Sequence, residues 1–376
     1  MDQITPKPVK QFKVIGTRPL RPDGIEKVTG KAIYGADLSA PNMLYGLMLR
    51  INEPHALIES IDISIAEKLP GVKSIITFKD FIKINPDNKY NETLENCIAN
   101  EKVLYDGHAV AAVAAVDLNT AKKAIKSINV KFKKLPFVIN IEDAMKKEAP
   151  LVAKGKKNEN IPDGFSDNVV QYCSFGHGNL EQGFNESDKV IKRTFKTPSV
   201  HQGYIEPHAC LASMSDDGKA DLWCCTQGHY NVRSICSNIF KIDNSQLKVT
   251  ASEIGGGFGG KTTVFIEPIA LALSQKSGRP VKIVMSREEV FKATGPTVSS
   301  LVDVKIGMKK NGKISAAKAI IRYEGGAFPN ETYELGAQSA FAAYDLKSVK
   351  TEAYNVLTNR PAQAAYRAPG APQAIY

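Results

Sequence analysis

The sequence predicts an α+β protein in which two regions, each mixing strands and helices, are joined by a polar connector. Short apolar runs of strand-like composition alternate with segments of helical periodicity, and glycine and proline separate them. Hydrophobic residues make up 43% and charged residues 23% of the chain, which is typical of globular proteins. With 376 residues, the chain is long enough for two or three domains with sizeable cores.

The first region follows a short tail. Residues 1–20 are polar and contain three prolines, and residues 21–143 form a compact α+β unit. In that unit, MLYGLMLRI is predicted to form a strand, and AEKLPGVKSIITF a helix end, a turn and a strand. HAVAAVAAVDLNTAKKAIKSINVKF is predicted to form a strand, a helix beginning near Leu118 to Thr120, and another strand. Residues 144–168 are rich in Lys, Asn, Pro and Gly and are predicted to form an exposed connector.

The second region covers residues 169–376 and is again α/β. Strands are predicted in KADLWCCTQ, SQLKVTASEI and VKIVMSR, and helices in NVRSICSNIF and TVFIEPIALALSQKSGRP. Asn311-Gly312 predicts a hairpin turn between two further strands.

The charge and the cysteines limit the functional classes. A net charge of +10 suits nucleic acid, an anionic ligand or acidic partner subunits, but the lysines are dispersed without an aromatic stripe, so nucleic-acid binding is not expected. None of the six cysteines forms a C-x-x-C pair, so they are expected to be reduced and buried. No apolar run reaches the length of a membrane span, and no secretory leader is visible, so a cytoplasmic location without membrane attachment is expected.

A glycine-rich stretch, ASEIGGGFGGKTTVFIEP at residues 251–268, matches two phosphate-binding patterns. Gly255-x-x-x-x-Gly260-Lys261-Thr262 fits the P-loop, and the same glycines fit the dinucleotide fingerprint. Each pattern requires an acidic residue further on, and the next strand, VKIVMSR, supplies none. Two alternatives stay open: a structural turn, and a loop whose backbone N–H groups and following helix N-terminus face another anionic ligand.

Several segments together resemble one enzyme family. GGGFGGK (255–261) is similar to the cofactor loop of the molybdenum hydroxylases, the xanthine dehydrogenase/aldehyde oxidase family. GKAIYGADL (30–38) and YDGHAVAAVAAVD (105–117) resemble its N-terminal α/β hammerhead domain. Its molybdopterin-binding domain is resembled by YIEPHACLA (204–212), WCCTQGHYNVR (223–233) and AAYRAPGAPQA (364–374). The resemblance implies a hammerhead over 21–143 and the first part of a molybdopterin-binding domain over 169–376.

The resemblance also implies roles for individual residues. Gln227 would hydrogen-bond an oxygen of the metal centre, Arg367 would orient the substrate, and Thr262 would line the substrate pocket. The cofactor would lie against the loop residues Gly256, Gly257, Phe258 and Gly259. Simpler interpretations are a turn-capping Gln227, a core Phe258 and an Arg367 in a surface ion pair. No protein residue would ligate the molybdenum, and Glu206 is interpreted as structural.

The implied chemistry is hydroxylation of an aldehyde or an aromatic N-heterocycle with oxygen from water. Thr262 stands where xanthine dehydrogenases have a purine-binding Glu, and Ala368 stands where carbon monoxide dehydrogenases have a Cys, so neither of those substrates is expected. The cofactor would be molybdenum–molybdopterin, with or without a cytosine nucleotide. Electrons would pass to [2Fe–2S] and FAD groups on partner subunits.

The general base of the family is not assigned to any residue of this chain. Either the chain is a fragment of a longer one, or the subunit is split and a second molybdenum half-subunit supplies the base. The absence of any ferredoxin-like cysteine spacing implies that the iron–sulfur and flavin groups lie on other chains, which predicts a hetero-oligomer. A non-catalytic half-subunit or assembly module is the alternative.

Overall fold

The computed structural model describes residues 12–153, 160–330 and 332–376. The chain divides into two compact units, one ending at Ile33 and one spanning Tyr34–Tyr376. The strands, in chain order, are β1 (Leu44–Ile51), β2 (Ala56–Asp62), β3 (Val72–Thr77), β4 (Lys102–Val103), β5 (His108–Ala115), β6 (Asn129–Lys134), β7 (Val169–His177), β8 (Lys189–Thr197), β9 (Ala209–Met214), β10 (Ala220–Cys224), β11 (Leu247–Ala251), β12 (Val281–Val284), β13 (Ser300–Met308), β14 (Ile314–Gly326) and β15 (Val349–Leu357).

The α-helices that the structure describes are short, and the longest of them has twelve residues. Among the residues that the structure describes, no helix combines the length and apolarity needed to cross a membrane. The helices are α1 (Gly24–Val28), α2 (Ser64–Glu67), α3 (Phe78–Ile84), α4 (Asn91–Cys97), α5 (Leu118–Ser127), α6 (Ile141–Ala144), α7 (Leu180–Asn185), α8 (His229–Phe240), α9 (Glu267–Ser277), α10 (Arg287–Ala293), α11 (Thr332–Ser339) and α12 (Ala371–Ile375).

The largest sheet has seven strands in the order β11-β10-β9-β12-β1-β5-β3. Its parallel pair β1–β12 places Leu44 opposite Val281, so strands of the first and second predicted regions share one hydrogen-bonded sheet. The sheet therefore continues across the predicted boundary between the first and second regions. The divisions at 1–20, 21–143, 144–168 and 169–376 remain predictions. Residues 1–11 of the tail and 154–159 of the connector lie outside the described residues.

Helix α9 packs on one face of this sheet, and α2 and α5 pack on the other. The sequence EPIALALS at the start of α9 is buried throughout, because the helix lies between the sheet and the α4 and α8 helices. Pro268 is tolerated in its first turn, where no intrahelical N–H bond is lost, and Gly278 ends it at φ 63°. Strand β5 is buried at every position, as a central strand covered on both faces must be.

Two smaller sheets complete the larger unit. One has five strands in the order β7-β15-β14-β13-β8, and the other has three in the order β4-β2-β6. The predicted hairpin at Asn311-Gly312 is confirmed, since β13 and β14 pair antiparallel around it and Gly312 has φ 82°. The predicted helix near Leu118 is confirmed as α5, and Asp117 caps it by accepting from the Thr120 N–H. All six cysteines are free, and five of them are buried.

Candidate functional site

The site forms where two parallel strands end. In the β10–β11 pair Cys224 lies opposite Ala251, so the segments that follow both strands leave the sheet at the same edge. Gln227 follows β10, and the glycine loop (residues 255–261, GGGFGGK) follows β11. The Gln227 N–H donates to the Lys261 carbonyl over 2.8 Å, which fixes the two segments side by side.

The side chain of Gln227 has a defined orientation. Its Oε1 accepts hydrogen bonds from the N–H groups of Gly259 at 2.9 Å and Lys261 at 3.3 Å. The amide oxygen thus faces the loop, and Nε2 has no hydrogen-bond partner among the described residues. Gln227 is exposed, so this end of the amide can donate to a ligand. The simpler interpretation, a turn cap, accounts for the oxygen alone.

The glycine loop has a conformation that side chains would disrupt. Gly256, Phe258 and Gly259 have φ values of 98°, 54° and 105°. A Cβ on Gly257 would lie 2.5 Å from Gln227 Oε1, and a Cβ on Gly259 would lie 2.7 Å from the Ala365 carbonyl oxygen. The loop therefore packs backbone against neighbouring segments. Phe258 is 49% exposed, so the interpretation of Phe258 as a core aromatic is wrong.

The arginine segment (residues 364–370, AAYRAPG) reaches the same place from the far end of the sequence. The Arg367 N–H donates to the Phe258 carbonyl over 2.9 Å, and Gln202 Nε2 donates to the Ala365 carbonyl over 2.8 Å. The Arg367 side chain is exposed and makes no ion pair with any described residue. The structure thus brings Gln227, Phe258 and Arg367 together, and Arg367 is not in the surface ion pair that the simpler interpretation requires.

Lys261 differs from the lysine of a P-loop. Its side chain is fully buried, and its Nζ lies 2.7 Å from Glu206 Oε2 and 4.9 Å from the Tyr204 ring centroid. A P-loop requires this nitrogen to face the phosphates, so the pattern at Gly255–Thr262 does not describe a P-loop.

The helix after the loop also differs from expectation. Both phosphate motifs open a helix directly, but α9 begins only at Glu267, after residues 261–266. The Glu267 carboxylate accepts from the N–H groups of Phe265 and Ile266. The expectation that a helix N-terminus at the loop would face a ligand is therefore wrong. At this site, a ligand would face the loop and its neighbouring segments and not a helix N-terminus.

Glu206 secures the loop from beneath. Besides Lys261, its carboxylate accepts from the Gly255 N–H at 2.8 Å and the Gly35 N–H at 3.2 Å. The structural interpretation of Glu206 is consistent with these contacts. Sequence reasoning missed the partner, Lys261, and the bridging Gln202. This pair could not be predicted, because the P-loop pattern suggests that Lys261 binds a ligand. No sequence spacing rule links residue 206 to residue 261.

A buried polar chain lies behind the loop. The Tyr204 hydroxyl is 2.8 Å from His208 Nε2 and 3.1 Å from Thr294 Oγ1, which in turn lies 2.9 Å from His201 Nε2. Burial, together with the nearby Lys261 cation, lowers the pKa of His208 to about 3. Burial and Arg287 lower the pKa of His201 to about 4. Both imidazoles are therefore neutral near pH 7 and act here as hydrogen-bonding groups.

Thr262 is exposed at the end of the glycine loop. Its hydroxyl donates to the Gly259 carbonyl over 3.0 Å, so the oxygen can accept a further hydrogen bond but has no second proton to donate.

No group of three or more His, Cys, Asp or Glu side chains that could hold a metal ion occurs in the part of the chain that the structure describes. The donor groups of the site are instead an amide nitrogen, loop backbone and a guanidinium. This set suits a ligand with oxygen atoms that carries its own metal ligands.

Family models identify both parts of the chain. The molybdopterin cofactor-binding domain matches residues 161–376, and the aldehyde oxidase and xanthine dehydrogenase a/b hammerhead domain matches residues 29–136. The chain belongs to the aldehyde oxidase/xanthine dehydrogenase family. The fold expected from the resemblance, a hammerhead followed by a molybdopterin-binding domain, is confirmed.

Individual relatives support the same assignment. The chain is 32% identical over 95% of its length to a probable xanthine dehydrogenase subunit of Bacillus subtilis, and covers 47% of that protein. It is 27% identical to the nicotinate dehydrogenase large molybdopterin subunit of Eubacterium barkeri, with 97% of this chain and 84% of the relative covered. The chain thus spans about half the length of the xanthine dehydrogenase relative and most of the nicotinate dehydrogenase one.

Solved structures show the same fold. Aldehyde oxidoreductase from Desulfovibrio gigas superposes with a TM-score of 0.84 at 27% identity, over 94% of this chain and 40% of that one. Quinoline 2-oxidoreductase from Pseudomonas putida 86 gives 0.83 at 26% identity, over 96% of this chain and 46% of that one.

Proposed function

We propose that this chain provides part of the molybdenum site of a hydroxylase that oxidises an aldehyde or an aromatic N-heterocycle. One observation carries the proposal. The Gln227 amide nitrogen and the Arg367 guanidinium, both unpaired among the described residues, lie beside the glycine loop, in which Phe258 is exposed. They do so in a chain whose family binds molybdopterin.

Backbone and amide would hold the cofactor. Gly256, Gly257, Phe258 and Gly259 would lie against it, and the absence of side chains at the glycines lets the loop pack closely on Gln227 and Ala365. Gln227 would donate from Nε2 to an oxygen at the metal, an orientation already set by the two N–H groups that its Oε1 accepts from. When bound, the molybdenum cofactor supplies the two-electron chemistry by which oxygen from water is added to the substrate carbon.

Arg367 would orient the substrate. A guanidinium keeps its charge at all relevant pH values and presents a planar set of donors, which suits a carbonyl or ring nitrogen that gains negative charge during reaction. Thr262 would line the pocket as an acceptor only. With Thr262 in place of a Glu, a purine would lose the hydrogen bonds that a carboxylate accepts from its polar ring atoms. We therefore propose a substrate with fewer polar ring atoms.

The electrons would leave through other subunits. Several relatives are named as subunits, among them the molybdenum-binding subunit of Escherichia coli xanthine dehydrogenase, which supports a multi-chain enzyme. We propose [2Fe–2S] and FAD partner subunits, a molybdopterin or molybdopterin cytosine dinucleotide cofactor, and a general base outside these 376 residues. A second molybdenum half-subunit or a continuation of the same chain would supply that base.

The test is purification of the natural complex, followed by metal and pterin analysis and assays with aldehydes and N-heterocycles. We expect one molybdenum per copy of this chain. Arg367→Gln should lower turnover on the order of 10²-fold without loss of metal, as removal of a charge-stabilising donor does. Arg193→Gln, at an exposed arginine on β8, is the control and should leave turnover unchanged. A complex without molybdenum would contradict the proposal and favour a non-catalytic assembly module.

A further inference from the structure

The glycine loop is closed at both ends by one buried carboxylate. Glu206 Oε2 accepts from the N–H of Gly255, the first residue of the loop, and from Nζ of Lys261, the last residue. Its Oε1 accepts from the Gly35 N–H. Neither side chain of the pair is appreciably exposed, at 0% for Lys261 and 7% for Glu206.

A buried ion pair is stable only when its geometry is good and the remaining hydrogen-bonding capacity is used. Here the carboxylate has three donors, and the ammonium also lies over the Tyr204 ring at 4.9 Å. The pair is therefore anchored to the loop and to its support at the same time. A lysine whose only role was solubility would not occupy such a position.

Lys261 also connects this anchor to the ligand-facing amide. Its N–H donates to Gln227 Oε1, and its carbonyl accepts from the Gln227 N–H at 2.8 Å and from Thr226 Oγ1 at 3.1 Å. Any movement of the Lys261 backbone would rotate or release the Gln227 amide. The side chain of Lys261, through its ion pair with Glu206, adds a buried restraint on that backbone.

We infer that Lys261 and Glu206 form a positioning pair that fixes the glycine loop and, through the Lys261 backbone, aims Gln227 Nε2 at the cofactor. Neither side chain reaches the ligand, and the pair acts through the loop. This inference rests on the proposed function for what Gln227 contacts, but the coupling of the pair to the loop does not depend on it.

The first measurement is hydrogen–deuterium exchange of the natural complex isolated from molybdenum-depleted cells. Lys261→Met should raise exchange in peptides covering residues 255–262 and 225–231 at least tenfold, while peptides from β1 and α9 keep their wild-type rates. Lys276→Met is the matched control, since Lys276 pairs with Asp80 away from the loop and should leave loop exchange unchanged. Unchanged loop exchange in Lys261→Met, or a uniform rise over all peptides, would overturn the inference.

A second variant covers the case in which Lys261→Met does not fold. Lys261→Met/Glu206→Gln removes both charges, so no uncompensated charge stays buried, and we expect it to fold and to show the same faster loop exchange. Wild-type loop exchange in this double variant would contradict the pair's role.

The second measurement is the paramagnetic resonance spectrum of the molybdenum retained by the loaded complex. If the pair positions Gln227, the double variant changes the spectrum of the loaded fraction. If the pair only adds stability, the signal is weaker with an unaltered line shape, which would overturn the positioning role. Absence of molybdenum from the wild-type complex would instead defeat the proposed function and leave the exchange result standing.

Discussion

Two cations meet at the same loop with opposite surroundings. Lys261 is buried, paired with Glu206 and bound into the scaffold, whereas Arg367 is exposed and, among the described residues, is held only by its backbone N–H. The local pattern around Gly260-Lys261 assigns the ligand-binding charge to the lysine. In the structure the exposed cation beside the loop is Arg367, a residue more than one hundred positions later. Whether a cation beside a glycine loop is available to a ligand therefore depends on its burial and its partners, and cannot be read from the neighbouring sequence.

The backbones at these two positions differ as well. A Cβ atom at Gly257 or Gly259 would lie closer to its neighbours than real Cβ atoms do, so the loop can adopt this path only without side chains there. In the arginine segment Ala368, at φ 60°, is a side-chain-bearing residue in the left-handed region. The path of the glycine loop is determined by packing, whereas the arginine segment carries local backbone strain next to Arg367.

The largest expected effect separates the two cations directly. Lys261→Ala should lower the free energy of unfolding by about 3–5 kcal/mol, because Glu206 is left buried with an uncompensated charge. Arg367→Ala should leave it unchanged within error, since the side chain has no described protein partner. Urea titrations of both variants check this difference. Equal losses would show that Arg367 is as structural as Lys261.

The next effect tests whether packing determines the loop. Gly259→Ala should cost about 3 kcal/mol, because φ 105° is strained for alanine and its Cβ would meet the Ala365 carbonyl. Gly278→Ala is the matched control, at φ 63° with nothing within 4 Å, and should cost about 1 kcal/mol. Thermal unfolding of the two variants gives the comparison. A Gly259 variant as stable as the Gly278 variant would mean that the loop moves freely.

The third prediction concerns acid. His208 stays neutral in the folded protein down to a pKa of about 3, while the unfolded chain protonates it near pH 6.5. The unfolded state binds more protons between these values, so stability falls as pH drops below 6.5. The free energy of unfolding should therefore fall by about 2 kcal/mol less in His208→Gln than in the wild type between about pH 6.5 and 5. Urea titrations at both pH values measure it, and an identical pH dependence in the two proteins would contradict it.

The smallest effect is on the arginine segment. Ala368→Gly removes the backbone strain of an alanine in the left-handed region but raises the conformational entropy of the unfolded chain. The net gain in stability should be below about 1 kcal/mol. Its value lies in comparison with Gly259→Ala, because the same pair of residues is exchanged in opposite directions on facing segments. Differential scanning calorimetry of the two variants provides the test. A marked loss of stability in Ala368→Gly would show that the alanine methyl packs against a neighbour.

Elements with local sequence signals could be predicted without the structure. The strand β5 was predicted from HAVAAVAAVD, the α5 helix from its expected start near Leu118, and the β13–β14 hairpin from Asn311-Gly312. Periodicity, capping and turn chemistry act over a few residues, so one segment contains the whole signal. The family resemblance added the fold and the candidate residues Gln227, Phe258 and Arg367.

Three features required the folded structure: the contacts of Lys261, the residue at which α9 begins, and the sheet that β1 and β12 share. Each depends on residues far apart in the chain, such as Glu206 with Lys261 or Leu44 with Val281. The free energy of a buried charge is set by whichever partner the fold brings to it, and that partner is invisible to any pattern that reads along the chain.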